Sequence, residues 1–292
     1  MQNNLCGKDR DRPGRNPTMD RDAMGGDDKR AGASTAAIPN SEVIMAELTD
    51  RDREMYKRQI QMPGFGEEAQ LKLKNSSALV TRVGGLGGPV ALYLAMAGIG
   101  KLVIAHSGKL TWSNLNRQIL MRHDFVGKPR VDCATELFDR LHPECEVIAV
   151  AEDANEQTAT GLVSQVDIVC DCPPSFEERY ALNKACVDLG KPMIEAAMYG
   201  MEGNLTTIVP GETPCLACLV PEKPAWWETY GFPVLGAVSA ALGCLAAIEV
   251  VKVLTGFGEN LKGQMLAYDA DAMEFLKFPV SRRADCPVCG HL

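Results

Sequence analysis

Four cysteines in two C-x-x-C hooks, Cys215-Leu-Ala-Cys218 and Cys286-Pro-Val-Cys289, are the plainest chemistry in this chain. Each hook can present two thiolates to one ion, and two hooks complete the tetrahedral shell of a structural zinc site. Four protein thiolates leave no open position for substrate, so the expectation is a site that pins the C-terminus to the domain. The alternative is a pair of redox dithiols or unrelated free thiols, but neither hook opens a helix in a thioredoxin-like context. A second signal is the glycine run Gly84-Gly85-Leu86-Gly87-Gly88, which follows the apolar stretch Ala78 to Val83. A strand feeding such a loop and then a helix lets backbone N–H groups approach a phosphate.

The glycine run alone does not define the ligand. A dinucleotide fingerprint requires Gly where Arg82 stands, and an acid at the end of the second strand for the ribose, where this chain has His106. An NAD- or FAD-dependent oxidoreductase is therefore disfavoured.

The elements that must position these residues alternate. Thr49 with Asp52 reads as a helix N-cap, and the helix it starts runs to the Tyr-Lys-Arg-Gln-Ile segment. Strand 78–83, the glycine loop, helix 89–97 and strand 101–106 form a βαβ opening. Helices near 130–141, 156–163 and 176–189 then alternate with strands 145–151, 166–171 and 192–197. After that the rhythm changes: strands at 203–209 and 264–269 flank a long apolar helix. The expected fold is a Rossmann-like, doubly wound α/β sheet with a C-terminal mixed or antiparallel extension. Residues 1–47 are polar and glycine-rich and read as a disordered tail, leaving 48–292 as one domain.

Composition narrows the function classes. The chain has 292 residues, is 46% apolar and 23% charged, and carries a formal net charge of −8. That acidic balance argues against general nucleic-acid binding. The first forty or so residues lack the apolar core of a signal peptide, so a cytoplasmic location and reduced thiols are expected. Val234 to Ile248 is uncharged, but Glu249 and Lys252 close it short of the roughly 20 residues of a membrane span; it reads as a buried core helix.

The ordered combination of Tyr56-Lys-Arg58-Gln-Ile60, Gly84-Gly-Leu-Gly87, Ser113-Asn114-Leu-Asn-Arg117-Gln118 and Met201-Glu-Gly203 resembles the MoeB/ThiF/HesA group, bacterial relatives of ubiquitin-activating enzymes. The resemblance covers about residues 48–290 and is strongest to the HesA branch, which is associated with nitrogen-fixation genes. It implies ATP as substrate, adenylation of the C-terminal carboxylate of a small ubiquitin-like or sulfur-carrier protein, and a homodimer. It also implies that Arg58 reaches the phosphates of the neighbouring subunit, that Asn114 and Arg117 contact nucleotide, and that Asp171 belongs to the catalytic set. Gly84, Gly85, Gly87, Lys128 and Arg130 map to the nucleotide pocket, with Arg82 and His106 standing at changed positions.

Against the family pattern, the loop's first glycine is Arg82, the ribose-binding aspartate is His106, and a following acid is Gly108. The pocket lysine is Arg130, with Lys128 beside it. The magnesium-binding aspartate aligns with Pro174, leaving Asp171, Glu177 and Glu178 nearby. Losing three acids and gaining one arginine makes the pocket less negative than its relatives' by about four charges. This favours an oxyanion over a divalent cation, with Arg58, Arg82, Arg117 and Arg130 replacing the metal. No cysteine lies between 219 and 234, so a covalent thiol step is not expected. Two function classes follow: an adenylyltransferase serving sulfur or molybdenum supply, or a degenerate nucleotide-, anion- or protein-binding module docking through Trp226, Trp227 and Tyr230.

Overall fold

The computed structural model describes residues 45–227 and 231–292; the expected tail and Tyr230 lie outside the described residues, apart from the tail's last positions, 45–47. Three short helices open the chain: α1 (Asp50–Met55), α2 (Lys57–Ile60) and α3 (Gly66–Lys74). Thr49 caps α1 through the expected capping box with Asp52, and Lys74 from α3 reaches the same carboxylate at 2.5 Å. Next come β1 (Ser77–Thr81), α4 (Gly87–Ala97), β2 (Lys101–Ala105), α5 (Arg130–Leu141), β3 (Glu146–Val150), α6 (Ala159–Val163) and β4 (Ile168–Asp171). The chain continues through α7 (Phe176–Leu189), β5 (Met193–Tyr199), β6 (Glu202–Ile208), α8 (Leu216–Leu219), α9 (Gly236–Thr255), β7 (Gln264–Asp269) and β8 (Glu274–Pro279).

The eight strands form one sheet in the order β3-β2-β1-β4-β5-β6-β7-β8. Pairing is parallel from β3 to β5 and antiparallel from β5 to β8. This is the Rossmann-like sheet with an antiparallel extension that the alternation implies. Every residue of β1 and β4 is buried, as a strand covered on both faces requires. One core, containing Leu94, Phe138, Leu242 and Val250, lies on the α4–α9 face; a second, containing Leu162, Leu182 and Met193, lies on the α6–α7 face. The edge strand β8, whose residues are all exposed, was not foreseen; its Phe275 stacks on Tyr268 of β7 at 4.7 Å.

Helix α9 corrects one expectation. Glu249 and Lys252 do not end it; the helix runs on to Thr255 and stops at Gly256, where φ is 76°. The charges are tolerated because each has a partner. Glu249 bonds Lys252 at 2.8 Å, accepts from the Thr207 hydroxyl at 2.8 Å and from the Leu261 N–H at 2.7 Å. At 20 residues with mean hydropathy 2.0, α9 is long and apolar enough to cross a membrane. Here it packs on α3, α4, β5 and β6.

The α4–α9 crossing depends on Gly243, where a Cβ would strike the Leu86 carbonyl. Gly161 on α6 has nothing within 4 Å of its would-be Cβ. Gly243→Val is therefore expected to lower stability in urea unfolding by about 1–3 kcal/mol, whereas Gly161→Ala leaves it unchanged or raised by about 0.5–1 kcal/mol.

Candidate functional site

The strand order reverses direction between β1 and β4, where α/β sheets open a crevice for ligands. A cavity of about 360 Å³ occupies that position, above the C-terminal ends of β1, β2, β4 and β5. Its size lies within the range of small-molecule sites. Gly84 and Gly85 line it, and a Cβ at Gly85 would come within 2.9 Å of the Ser239 hydroxyl, so glycine allows the loop to lie against α9. Gly87 opens α4 and is not in the cavity wall, with its would-be Cβ 2.6 Å from the Arg82 carbonyl.

Four arginines line the cavity: Arg82, Arg117, Arg130 and Arg179. Among the described residues no carboxylate joins them there. Arg82 departs from the role expected of it. It adopts φ 59° and forms a two-point bond to Glu178, at 3.0 and 2.6 Å, with Asp153 at 2.7 Å. Its charge is thus balanced by the acids Glu178 and Asp153, which do not line the cavity. Arg117 instead meets neutral oxygens, the Ser113 carbonyl at 2.7 Å and the Asn116 side chain at 2.8 Å. Burial pulls its pKa down. Arg130 reaches the Ser107 carbonyl at 2.8 Å and the Asn114 amide oxygen at 3.1 Å.

Asn114 is fixed by its own backbone. It ends a single 3₁₀ turn, and its side-chain oxygen also accepts from the N–H and hydroxyl of Thr111. His106 follows β2 and is 4% exposed, with its backbone N–H donating to the Val150 carbonyl at 3.0 Å. Burial, reinforced by Arg130 and Arg82, pushes its pKa down to about 3, so the ring is neutral. Lys128 and Arg58 do not join the cavity. Lys128 lies over the Phe125 ring, 4.6 Å from its centre, and Arg58 is exposed on α2.

Asp171 also falls outside the place expected of a catalytic group. It is wholly buried, and Arg179 bonds it at 3.0 Å while also bonding Glu195 at 2.5 Å. Its side chain is the counter-ion of Arg179 and does not line the cavity. Glu178 is committed to Arg82, and Glu177 bonds the Ser175 hydroxyl and Lys223. Pro174 does reach the wall, and its carbonyl accepts the Trp227 indole N–H at 2.8 Å. Trp227 stacks on Phe232 at 5.4 Å and meets Phe176 edge-on, so it packs on its own subunit; Trp226 is 57% exposed. The sequence reading gave Asp153, Glu195 and Trp227 no place at the site. A lone acid carries no spacing signal, whether in a loop (Asp153) or a strand (Glu195), whereas a tryptophan beside a proline-rich turn is a visible anomaly.

The four hook cysteines converge as expected, although the first hook does open a short helix, with Cys215 at the N-cap of α8. All are buried, and their sulfurs lie within 4.8 Å of one another. Individual Sγ–Sγ distances are 4.0 Å for Cys215–Cys218, 3.7 Å for Cys215–Cys286 and 3.4 Å for Cys218–Cys289. A tetrahedral zinc with Zn–S near 2.3 Å sets that edge at about 3.8 Å, so the residues fit the ion. Burial drives the Cys215 thiol up to about 12. At Cys286 burial acts in the same sense but is outweighed by N–H groups of Cys289 and Val288 and by neighbouring thiols, which bring it down to about 7. A cation among them supplies what the buried thiolates need.

A parallel sheet whose reversal point carries a glycine loop and a ring of arginines is the framework of a nucleotide-binding α/β protein. The chain belongs to the ThiF family, a family of ATP-using adenylyltransferases, whose profile matches residues 56–288. Within it, the chain falls in the HesA/MoeB/ThiF branch. Protein HesA of Leptolyngbya boryana is 51% identical over 247 residues, covering 85% of this chain and 89% of the relative. Adenylyltransferase and sulfurtransferase MOCS3 of Drosophila sechellia is 36% identical over 251 residues, covering 85% of this chain and 55% of that longer protein. Among solved structures, E. coli MccB with MccA-N7isoASN aligns with a TM-score of 0.72 at 26% identity, covering 82% of this chain and 74% of that one.

Two outcomes follow. Burial, opposed by Arg179, pushes the Glu195 carboxyl from its ordinary 4.5 up to about 7. A folded-state pKa above the unfolded one gives stability that is full below pH 4.5 and is lost as pH rises through about 7. Denaturant unfolding from pH 4.5 to 7.5 should show this decline, and Glu195→Gln should flatten it. Cys289→Ser should reduce bound zinc, measured by mass spectrometry of metals, from one per chain to well below half. It should also lower the melting temperature by at least several degrees.

Proposed function

We propose that the cavity binds ATP and that the protein adenylylates a carboxylate of a protein or peptide acceptor, working as a homodimer. The observation that carries this reading is the placement of four arginines and a glycine loop around one cavity, with no carboxylate in its described wall. Such a lining favours a polyphosphate. In the reaction an acceptor carboxylate oxygen attacks the α-phosphorus. The bond to the bridging oxygen breaks, and pyrophosphate leaves with that electron pair. Arg117, bonded to neutral oxygens, is the cation placed to meet the developing charge. Arg130 and the loop N–H groups hold the phosphates. Phosphate charge is met by arginine rather than by a carboxylate-held Mg²⁺, since Pro174 occupies the position expected of the metal ligand.

Arg58, exposed on α2 and outside its own cavity, serves the cavity of the second copy. MOCS3 is named as an adenylyltransferase and sulfurtransferase, and MccB was solved with MccA. Both favour a small protein or peptide partner, here a ubiquitin-like or sulfur-carrier protein. We further place this activity in the cytoplasm, in sulfur or molybdenum supply in a nitrogen-fixation setting, as the resemblance to the HesA branch implies.

A second reading, a binding module without turnover, is favoured by the same missing carboxylate and by exposed Trp226. Pyrophosphate release in the presence of ATP and a carrier protein separates the two. The enzyme reading expects stoichiometric pyrophosphate and a loss of about 10²-fold in Arg117→Ala. It also expects that mixing inactive Arg58→Ala and Arg117→Ala chains restores partial activity through mixed dimers. ATP binding without pyrophosphate points to the module.

A further inference from the structure

The end of β2 presents a histidine to the cavity, and no carboxylate lines it there among the described residues. His106 lines the cavity, is 4% exposed, and its Nδ1 is buried without a hydrogen-bond partner. An orphaned lone pair costs less than an orphaned N–H. The proton therefore belongs on Nε2, making the ring a neutral donor with a pKa held down near 3 by burial and by Arg130 and Arg82. Two residues on, Gly108 adopts φ 77°, and a Cβ there would lie 2.9 Å from Arg130 Nη1. The guanidinium thus occupies the space that a side chain at 108 would need. The nearby acid, Asp153, is not among the residues that line the cavity. It accepts from the Ser107 N–H at 2.8 Å and the Ser107 hydroxyl at 2.5 Å, and it pairs with Arg82 at 2.7 Å.

In doubly wound nucleotide sites, an acid at the end of the second strand selects free ribose hydroxyls. An arginine there accommodates a phosphate on the sugar. Here the acid is absent from that wall and the arginine is present. We propose that the sugar subsite formed by His106 and the Arg130 guanidinium admits adenine nucleotides carrying a phosphate on the ribose. His106 donates its ring N–H to a sugar or phosphate oxygen, and it is the residue that sets this specificity. The inference rests on the nucleotide reading of the cavity.

Calorimetric titration of the zinc-loaded protein with AMP, and with adenosine bearing a second phosphate at the 2′ or the 3′ position, tests it. At least one bisphosphate isomer should bind within threefold of AMP or more tightly. His106→Asp should weaken that isomer at least tenfold more than it weakens AMP. His106→Asn, neutral and able to donate, should keep the wild-type preference, so the test survives if the aspartate variant fails to fold. Binding of AMP with both bisphosphates at least tenfold weaker overturns the inference and leaves the nucleotide site standing. Equal weakening of AMP and bisphosphate by His106→Asp also overturns it. No binding of any of the three removes both the inference and the nucleotide reading.

Discussion

A buried triad of charges, Asp171–Arg179–Glu195, sits beneath the cavity and ties together the end of β4, the first turn of α7 and the interior of β5. All three side chains are at most 4% exposed. Removing charges from water is costly, and such a group persists only when each member is held by the others. Asn204 adds a 3.1 Å bond to Glu195, and the Ala196 carbonyl takes a further Arg179 N–H at 3.4 Å. The arrangement sets the floor on which Cys172, Pro173 and Pro174 lie, and the start of α7 carries Glu178 into reach of Arg82. The shape of the cavity and the fate of its most unusual arginine thus follow from one network.

That network also divides the arginines by task. Arg82 and Arg179 act as struts, neutralised by acids that do not line the cavity. Arg117 bonds carbonyl and amide oxygens, which fix its direction without cancelling its charge, and Arg130 bonds the Ser107 carbonyl and the Asn114 amide oxygen. A polyphosphate entering the cavity meets oriented cations in a partly dehydrated setting, where each interaction is stronger than in bulk water. The thiol cluster works at a distance. It joins α8 to the C-terminal turn on the opposite core, and Arg282 extends the clasp to the Gly211 carbonyl at 2.7 Å.

Periodicity and spacing carried the fold, the core helix and the thiol cluster into view, because strands covered on both faces and C-x-x-C hooks leave local signatures. Strand β8 did not show, since an exposed edge strand need not keep an apolar alternation. The end of α9 was misplaced because a charge in the chain, Glu249, is read as a stop, while two of its three partners, Thr207 and Leu261, lie outside the helix. The pocket was legible as a set of positions and not as a charge balance. Arg82 looks like a gained cation until Glu178 and Asp153, 96 and 71 residues away, are seen to hold it. Asp171 looks like a metal ligand until Arg179 is found against it.

The central claim is that arginines, rather than a carboxylate-bound metal, hold the nucleotide phosphates. Calorimetric titration of ATP into the zinc-loaded protein, with and without added Mg²⁺, tests it most directly. The arginine-based site should bind ATP with dissociation constants that agree within about threefold, or about 0.7 kcal/mol, under the two conditions. Binding that appears only when Mg²⁺ is present would contradict it.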